Sequence, residues 1–160
     1  MSGPRTHLAQ LNVGRLAADK DDPSLAEFMD NLDRVNGLAE RSEGFVWRYV
    51  GDSGCAAEDA PYDPEDPRVI VNLSVWESVE ALERFVWMTL HKRFYAKRGA
   101  WFTPMKSPHF VMWPVAKGAV PTLEEAKARL EELRAHGPSA RAFGWETAPG
   151  ARLWREARCA

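Results

Sequence analysis

Residues 69–76 read Val69-Ile-Val-Asn-Leu-Ser-Val-Trp76. Successive side chains of a strand leave opposite faces, so Val69, Val71, Leu73 and Val75 make one unbroken apolar face. Ile70, Asn72, Ser74 and Trp76 make the other, apolar at its ends and polar between them. β-Branched and aromatic residues dominate, as a half-buried or fully buried strand requires. This strand demands cover on both sides, and the architecture must supply it.

Working outward, Ser78 caps a helix that runs through Val79, Leu82, Phe85 and Val86 and continues or kinks into a second helical stretch near His91 to Arg98. His109 to Val115 is a further strand. Thr122 and Glu125 form a capping box ahead of Leu123, Ala126, Leu130 and Leu133, with Gly137-Pro138 as the stop. Phe143 and Trp145 can dock as a short extra strand. Upstream, Gly51 to Pro67 is acidic, rich in Gly and Pro and without the spacing of a calcium loop, so it reads as a hairpin connection. Phe45 to Val50 is a strand with Phe45, Trp47 and Tyr49 on one side and Val46 and Val50 on the other. Asp22-Pro23 opens a helix through Leu25, Phe28, Met29, Leu32, Val35, Leu38 and Ala39, ended by Gly44. His7 to Val13 alternates Ala9, Leu11 and Val13 against Leu8, Gln10 and Asn12, and Gly14 begins a loop.

The resulting order, β-α-β-β-α-β with an appended C-terminal helix, predicts an α+β fold: a ferredoxin-like antiparallel sheet with strand order 4-1-3-2. Residues 7–146 form the domain and 147–160 a tail. One set of helices covers one sheet face. The other is expected to meet a second sheet in a homodimer, giving a dimeric α/β barrel. The alternative is that helix 122–136 and the tail cover it within one chain.

A chain of 160 residues suits one domain, and its 45% hydrophobic and 28% charged residues are ordinary for a globular protein. A net charge of −2 argues against nucleic acid as partner, the cluster Lys92, Arg93, Lys97 and Arg98 being one solvated face. Cys55 and Cys159 stand in no ligand spacing, so no metal is expected, and a reducing compartment is the simpler setting. With no signal-like N-terminus and no apolar stretch approaching a membrane span, the expectation is a cytoplasmic protein without a membrane partner.

Gln10, Asn12, Arg48, Asn72 and Ser74 interrupt otherwise apolar strands. An unpaired buried polar group costs roughly 1–3 kcal/mol, so these side chains must pair, reach solvent or meet a ligand. Antiparallel pairing brings Asn12 near Asn72, with Arg48 one strand over. Apolar walls around a few convergent polar groups are the layout of a small-molecule pocket; a structural hydrogen-bond network uses the same residues. Trp76, Phe85 and Trp113 suit either the wall of a site for a flat apolar or aromatic ligand, or a bulky core. His91 lies on a helix beside Phe94, Tyr95 and Arg98, where it serves as base, ligand or surface residue.

The junction Leu73-Ser-Val-Trp-Glu-Ser-Val-Glu-Ala-Leu82 resembles that of antibiotic-biosynthesis-type monooxygenases and of haem-degrading monooxygenases of the staphylococcal type, both dimeric α/β barrels. His7-Leu-Ala-Gln-Leu-Asn-Val-Gly-Arg-Leu16, Gly44-Phe-Val-Trp-Arg48 and Leu133-Arg-Ala-His-Gly-Pro138 resemble more closely a family known as a domain of unknown function, DUF3291. That likeness extends from residue 7 to about 146 and carries no established activity. The haem-degrading relatives use an Asn on strand one, a Trp in the second helix and a His further along it as iron ligand. Asn12 and His91 correspond to the first and last, while Phe85 replaces the Trp, with Trp87 nearby.

The polar and aromatic residues, with the likeness to monooxygenases, lead to the expectation of a small-molecule enzyme of the cofactor-independent monooxygenase or cyclase/isomerase type, acting on an apolar, aromatic substrate. Arg48 would stabilise oxyanion charge, Asn12 and Asn72 would orient a carbonyl, and His91 would be the base, with Trp76, Phe85 and Trp113 around the substrate. One alternative is a haem-binding protein with His91 as axial ligand. Another is a non-catalytic ligand-binding dimer.

Overall fold

A computed structural model describes residues 6–19, 21–50, 65–66, 68–88, 98–103, 108–149 and 151. The strands are β1 (Thr6–Leu16), β2 (Phe45–Arg48), β3 (Val69–Trp76), β4 (Phe102–Thr103) and β5 (Phe110–Ala116). The helices are α1 (Ala26–Glu40), α2 (Val79–Met88), α3 (Arg98–Trp101) and α4 (Leu123–His136), with short 3-10 turns at Pro23–Leu25 and Trp145–Thr147.

All pairings are antiparallel. The order is β2-β3-β1, after which β5 lies along the first half of β1 and β4 along its end. This is the expected split arrangement, with the fourth position shared between two strands. β1 is therefore central and paired on both edges, Leu11 standing opposite Leu73 on one side and Val111 on the other.

Sequence signals set most boundaries. The Asp22 carboxylate accepts the Ser24 amide at 2.9 Å, and Pro23 follows, as an N-terminal cap requires. Ser78 Oγ accepts the Ala81 N–H at 3.1 Å, and Thr122 Oγ1 accepts that of Glu125 at 3.1 Å. Gly137, at φ 75°, closes α4 with its N–H on the Leu133 carbonyl. Gly44 turns the chain from α1 into β2 at φ 87°, and a Cβ there would run into the Ala81 side chain of α2. Arg15 donates to Asp66 at 2.9 Å where β1 ends and β3 approaches, and this bond holds the Asp66 carboxyl below the ordinary carboxylate range.

Two local expectations change. β1 continues through Gly14 to Leu16, because the Phe102 ring occupies the space above Gly14 that a side chain would need, and β4 can then pair with Arg15 and Leu16. In β2 a register shift lies between Phe45 and Trp47, so Phe45 stands opposite Trp76 and Trp47 opposite Val75. Phe45 and Trp47 thus pack on opposite faces, and Val46 is left exposed.

The largest correction concerns cover for the valine face. Ala9, Leu11 and Val13 of β1, Val71, Leu73 and Val75 of β3, and Val111, Trp113 and Val115 of β5 form one core with Ala126, Leu130 and Leu133 of α4. The appended helix lies across the face that was expected to need a partner sheet. Val75 and Leu130 have no exposure in the single chain. The opposite face carries two separate clusters. One joins Leu8, Trp76 and Met112 to Leu82, Phe85 and Val86 of α2 and to Phe143, Ala148 and Ala151. The other joins Leu16 and Ile70 to Leu25, Phe28 and Trp101. Phe143 docks by exchanging backbone hydrogen bonds with Met112 at 2.7 and 2.9 Å.

Two substitutions check this arrangement. Val71→Asp buries an unpaired charge beneath α4 and should abolish the cooperative melting transition; a folded variant that merely dissociates in light scattering would contradict it. Gly44→Ala forces a left-handed backbone angle on a residue with a side chain and presses it against Ala81. A loss of at least about 2 kcal/mol in urea unfolding is expected.

Candidate functional site

On the face with two clusters, the even-numbered residues of β1 run Leu8, Gln10, Asn12, Gly14 and Leu16, and those of β3 run Ile70, Asn72, Ser74 and Trp76. The ends belong to the clusters. The middle is polar: Gln10 and Ser74 stand opposite one another, as do Asn12 and Asn72. Gln10 and Ser74 are buried, while Asn12 and Asn72 are exposed. A polar strip therefore crosses the sheet between two aromatic clusters.

The buried half of the strip is hydrogen-bonded. Gln10 Nε2 donates to Ser74 Oγ at 2.7 Å and to Asn72 Oδ1 at 2.7 Å. Trp76 Nε1 donates to the same Ser74 oxygen at 2.9 Å. Each buried donor thereby avoids the cost of standing unpaired, and the network ends on an exposed carboxamide.

Of the candidates named from sequence, Asn12 and Asn72 meet directly across the β1–β3 pair. Arg48 stands opposite Ser74, one strand over, but its guanidinium is bound to Glu40 at the end of α1. Its charge is thus compensated within the fold. Trp76 and Phe85 stack with ring centroids 5.2 Å apart and are buried, so they form the floor of one cluster and not an open wall. Trp113 lies on the opposite face under α4, fully buried, and its indole N–H has no hydrogen-bond partner among the described residues. It is separated from Asn12 and Asn72 by the sheet. His91 lies outside the described residues, as do Cys55 and Cys159. The structure adds Gln10, which the alternation flagged as a polar interruption but which only the register connects to Asn72, Ser74 and Trp76.

A separate cavity of about 480 Å³ opens at the start of β1, walled by His7, Leu8, Val79, Pro114, Pro138 and Phe143. Thr6, Glu77, Ser78, Ser139 and Thr147 also line it. What distinguishes the strip is a pair of facing carboxamides joined to a hydrogen-bonded array, and convergent polar groups are what orient a ligand. The strip is therefore the stronger candidate. Among the described residues no group of three or more His, Cys, Asp or Glu side chains is placed to hold a metal ion, and no helix is long and apolar enough to cross a membrane.

Solved structures are similar to this chain, among them the following three. The Pseudomonas aeruginosa protein PA3566 is 18% identical, with 73% of this chain and 100% of that one covered and a TM-score of 0.47. A conserved protein from Methanosarcina mazei Go1 is 12% identical, with 70% and 93% covered and a TM-score of 0.48. The NE2512 protein of unknown function from Nitrosomonas europaea is 15% identical, with 75% and 97% covered and a TM-score of 0.44. Likeness at this level says nothing of activity. No curated protein matches the chain. A family model does match, over residues 7–159, and the protein accordingly belongs to the family described as Domain of unknown function (DUF3291).

Proposed function

We propose that the protein binds, and acts on, a small, flat, largely apolar molecule laid over the Asn12–Asn72 strip between the two aromatic clusters. The observation that carries this reading is a pair of exposed asparagines side by side in the middle of a sheet face whose two ends are apolar core. Carboxamides so framed offer directed hydrogen bonds to a ligand whose remaining surface is apolar. The site lies within one chain, so the proposal requires no second subunit.

The chemistry that suits such a strip is stabilisation of negative charge developing on a substrate oxygen, the shared need of cofactor-independent oxygenation and of cyclisation or isomerisation through an enolate. The donors would be the side-chain amides of Asn12 and Asn72. Arg48, already paired with Glu40, would act at most through the field of that ion pair. His91 enters as the base on the strength of its place in the sequence.

Asn12→Ala removes an exposed side chain and should leave the melting temperature within a few degrees of the parent, whereas Asn72→Ala also takes an acceptor from the buried Gln10 amide and should cost about 1–3 kcal/mol while the protein stays folded. Screened against flat bicyclic and tricyclic carbonyl compounds, the parent should show ligand-dependent stabilisation that both variants lose. Equal stabilisation of parent and variants would refute the site. Titration with haemin separates the alternative: a Soret shift present in the parent and absent in His91→Ala would favour a haem-binding protein with His91 as axial ligand, and no shift, or one that survives the substitution, removes it.

A further inference from the structure

The hydrogen-bonded half of the strip has a direction. An indole N–H can only donate, so the Trp76–Ser74 bond fixes Ser74 Oγ as its acceptor. Gln10 Nε2 has two hydrogens, and both are used, one on Ser74 Oγ and one on Asn72 Oδ1. The oxygen of the Asn72 carboxamide is therefore occupied from below by a buried donor. A carboxamide carries its oxygen and nitrogen on one trigonal carbon, so with the oxygen engaged by Gln10 the N–H groups are the end of the exposed Asn72 that remains to meet a ligand. With Gln10 Nε2 directed at both oxygens, turning the Asn72 amide alone would set N–H against N–H and strand a donor on Gln10, which is only 4% exposed. The arrangement runs from a buried indole, through a hydroxyl and a buried amide, to an exposed one.

We infer that Gln10, anchored by Ser74 and Trp76, is a positioning residue that sets the hydrogen-bonding sense of the site, so that it selects ligands presenting an acceptor oxygen over ligands presenting a donor hydrogen. The inference rests on the binding reading above and narrows it to a chemical class: flat molecules with a carbonyl, enolate or carboxylate oxygen directed at Asn72. Gln10 touches no ligand in this scheme. Its effect is on which end of the Asn72 carboxamide a ligand meets.

Two neutral bicyclic probes of similar size separate the possibilities: coumarin, whose carbonyl only accepts, and indole, whose N–H only donates. Isothermal titration on the full chain should give tighter binding of coumarin by about three- to tenfold, the worth of one net hydrogen bond. Gln10→Leu frees the Asn72 amide to turn and should bring the ratio of the two dissociation constants close to one while the far-ultraviolet circular dichroism is retained. Ser74→Ala removes the anchor of Gln10 from the other side and should also lower the ratio; it carries the test where Gln10→Leu does not fold. A purely structural role for Gln10 would weaken both probes equally and leave the ratio unchanged, which overturns the inference, as does tighter binding of indole by the parent. Equal binding of both probes by the parent sinks the inference alone. Binding of neither removes the proposed site together with it.

Discussion

The pairing of β1 with β3 commits alternate residues of two strands to opposite sides of the sheet, with Leu11 opposite Leu73 and Asn12 opposite Asn72. A shift of one residue in that register would carry the valines to the polar side and the asparagines into the core beneath α4. The cost of burying those amides without partners and exposing the valines makes the observed register the only tolerable one. β5 repeats the constraint on the other edge of β1, since Val111, Trp113 and Val115 must join the same core as Ala9, Leu11 and Val13.

Given that register, the two faces meet different needs. The valine face is continuous and apolar and is covered by one amphipathic helix, whose Ala126, Leu130 and Leu133 lie along a single stripe. The other face is apolar only at its ends. Helices α1 and α2, with Trp101 and the segment around Phe143, close those ends as two clusters and leave the asparagines exposed between them. Two chains of similar strand pattern can solve the first problem differently, by a partner sheet or by a helix of their own. Here a capped fourteen-residue helix with its own Glu125–Arg129 and Glu131–Arg134 pairs is available to do it.

The polar strip is held in place from the core. Ser74 and Gln10 are buried, and each is tolerable only because the other satisfies it and because Trp76 donates to the same oxygen. An apolar replacement of both would fill the space but leave the buried Trp76 indole N–H without its acceptor. What those residues add is a hydrogen bond from Gln10 to the oxygen of the exposed Asn72 amide, a tie from the core to the surface. Arg48 shows the converse, since a charge that looked available in sequence is matched by Glu40 from the preceding helix.

Much of this was legible in the linear sequence. The alternation in β1 and β3, the cap residues Asp22, Ser78 and Thr122, and the stop at Gly137 are local features with local physical causes. They placed the helices and strands, the antiparallel arrangement and the meeting of Asn12 with Asn72. The extension of β1 through Gly14 and the register shift in β2 were not legible, because the first depends on the Phe102 ring and the second on where Trp47 finds apolar neighbours. The sequence by itself determined that both faces of the sheet need cover and that its polar interruptions need partners. Which cover and which partners was decided only by the tertiary structure, because a helix stripe, an ion pair and a hydrogen-bonded amide are contacts between segments tens of residues apart, and local patterning holds no record of distance in space.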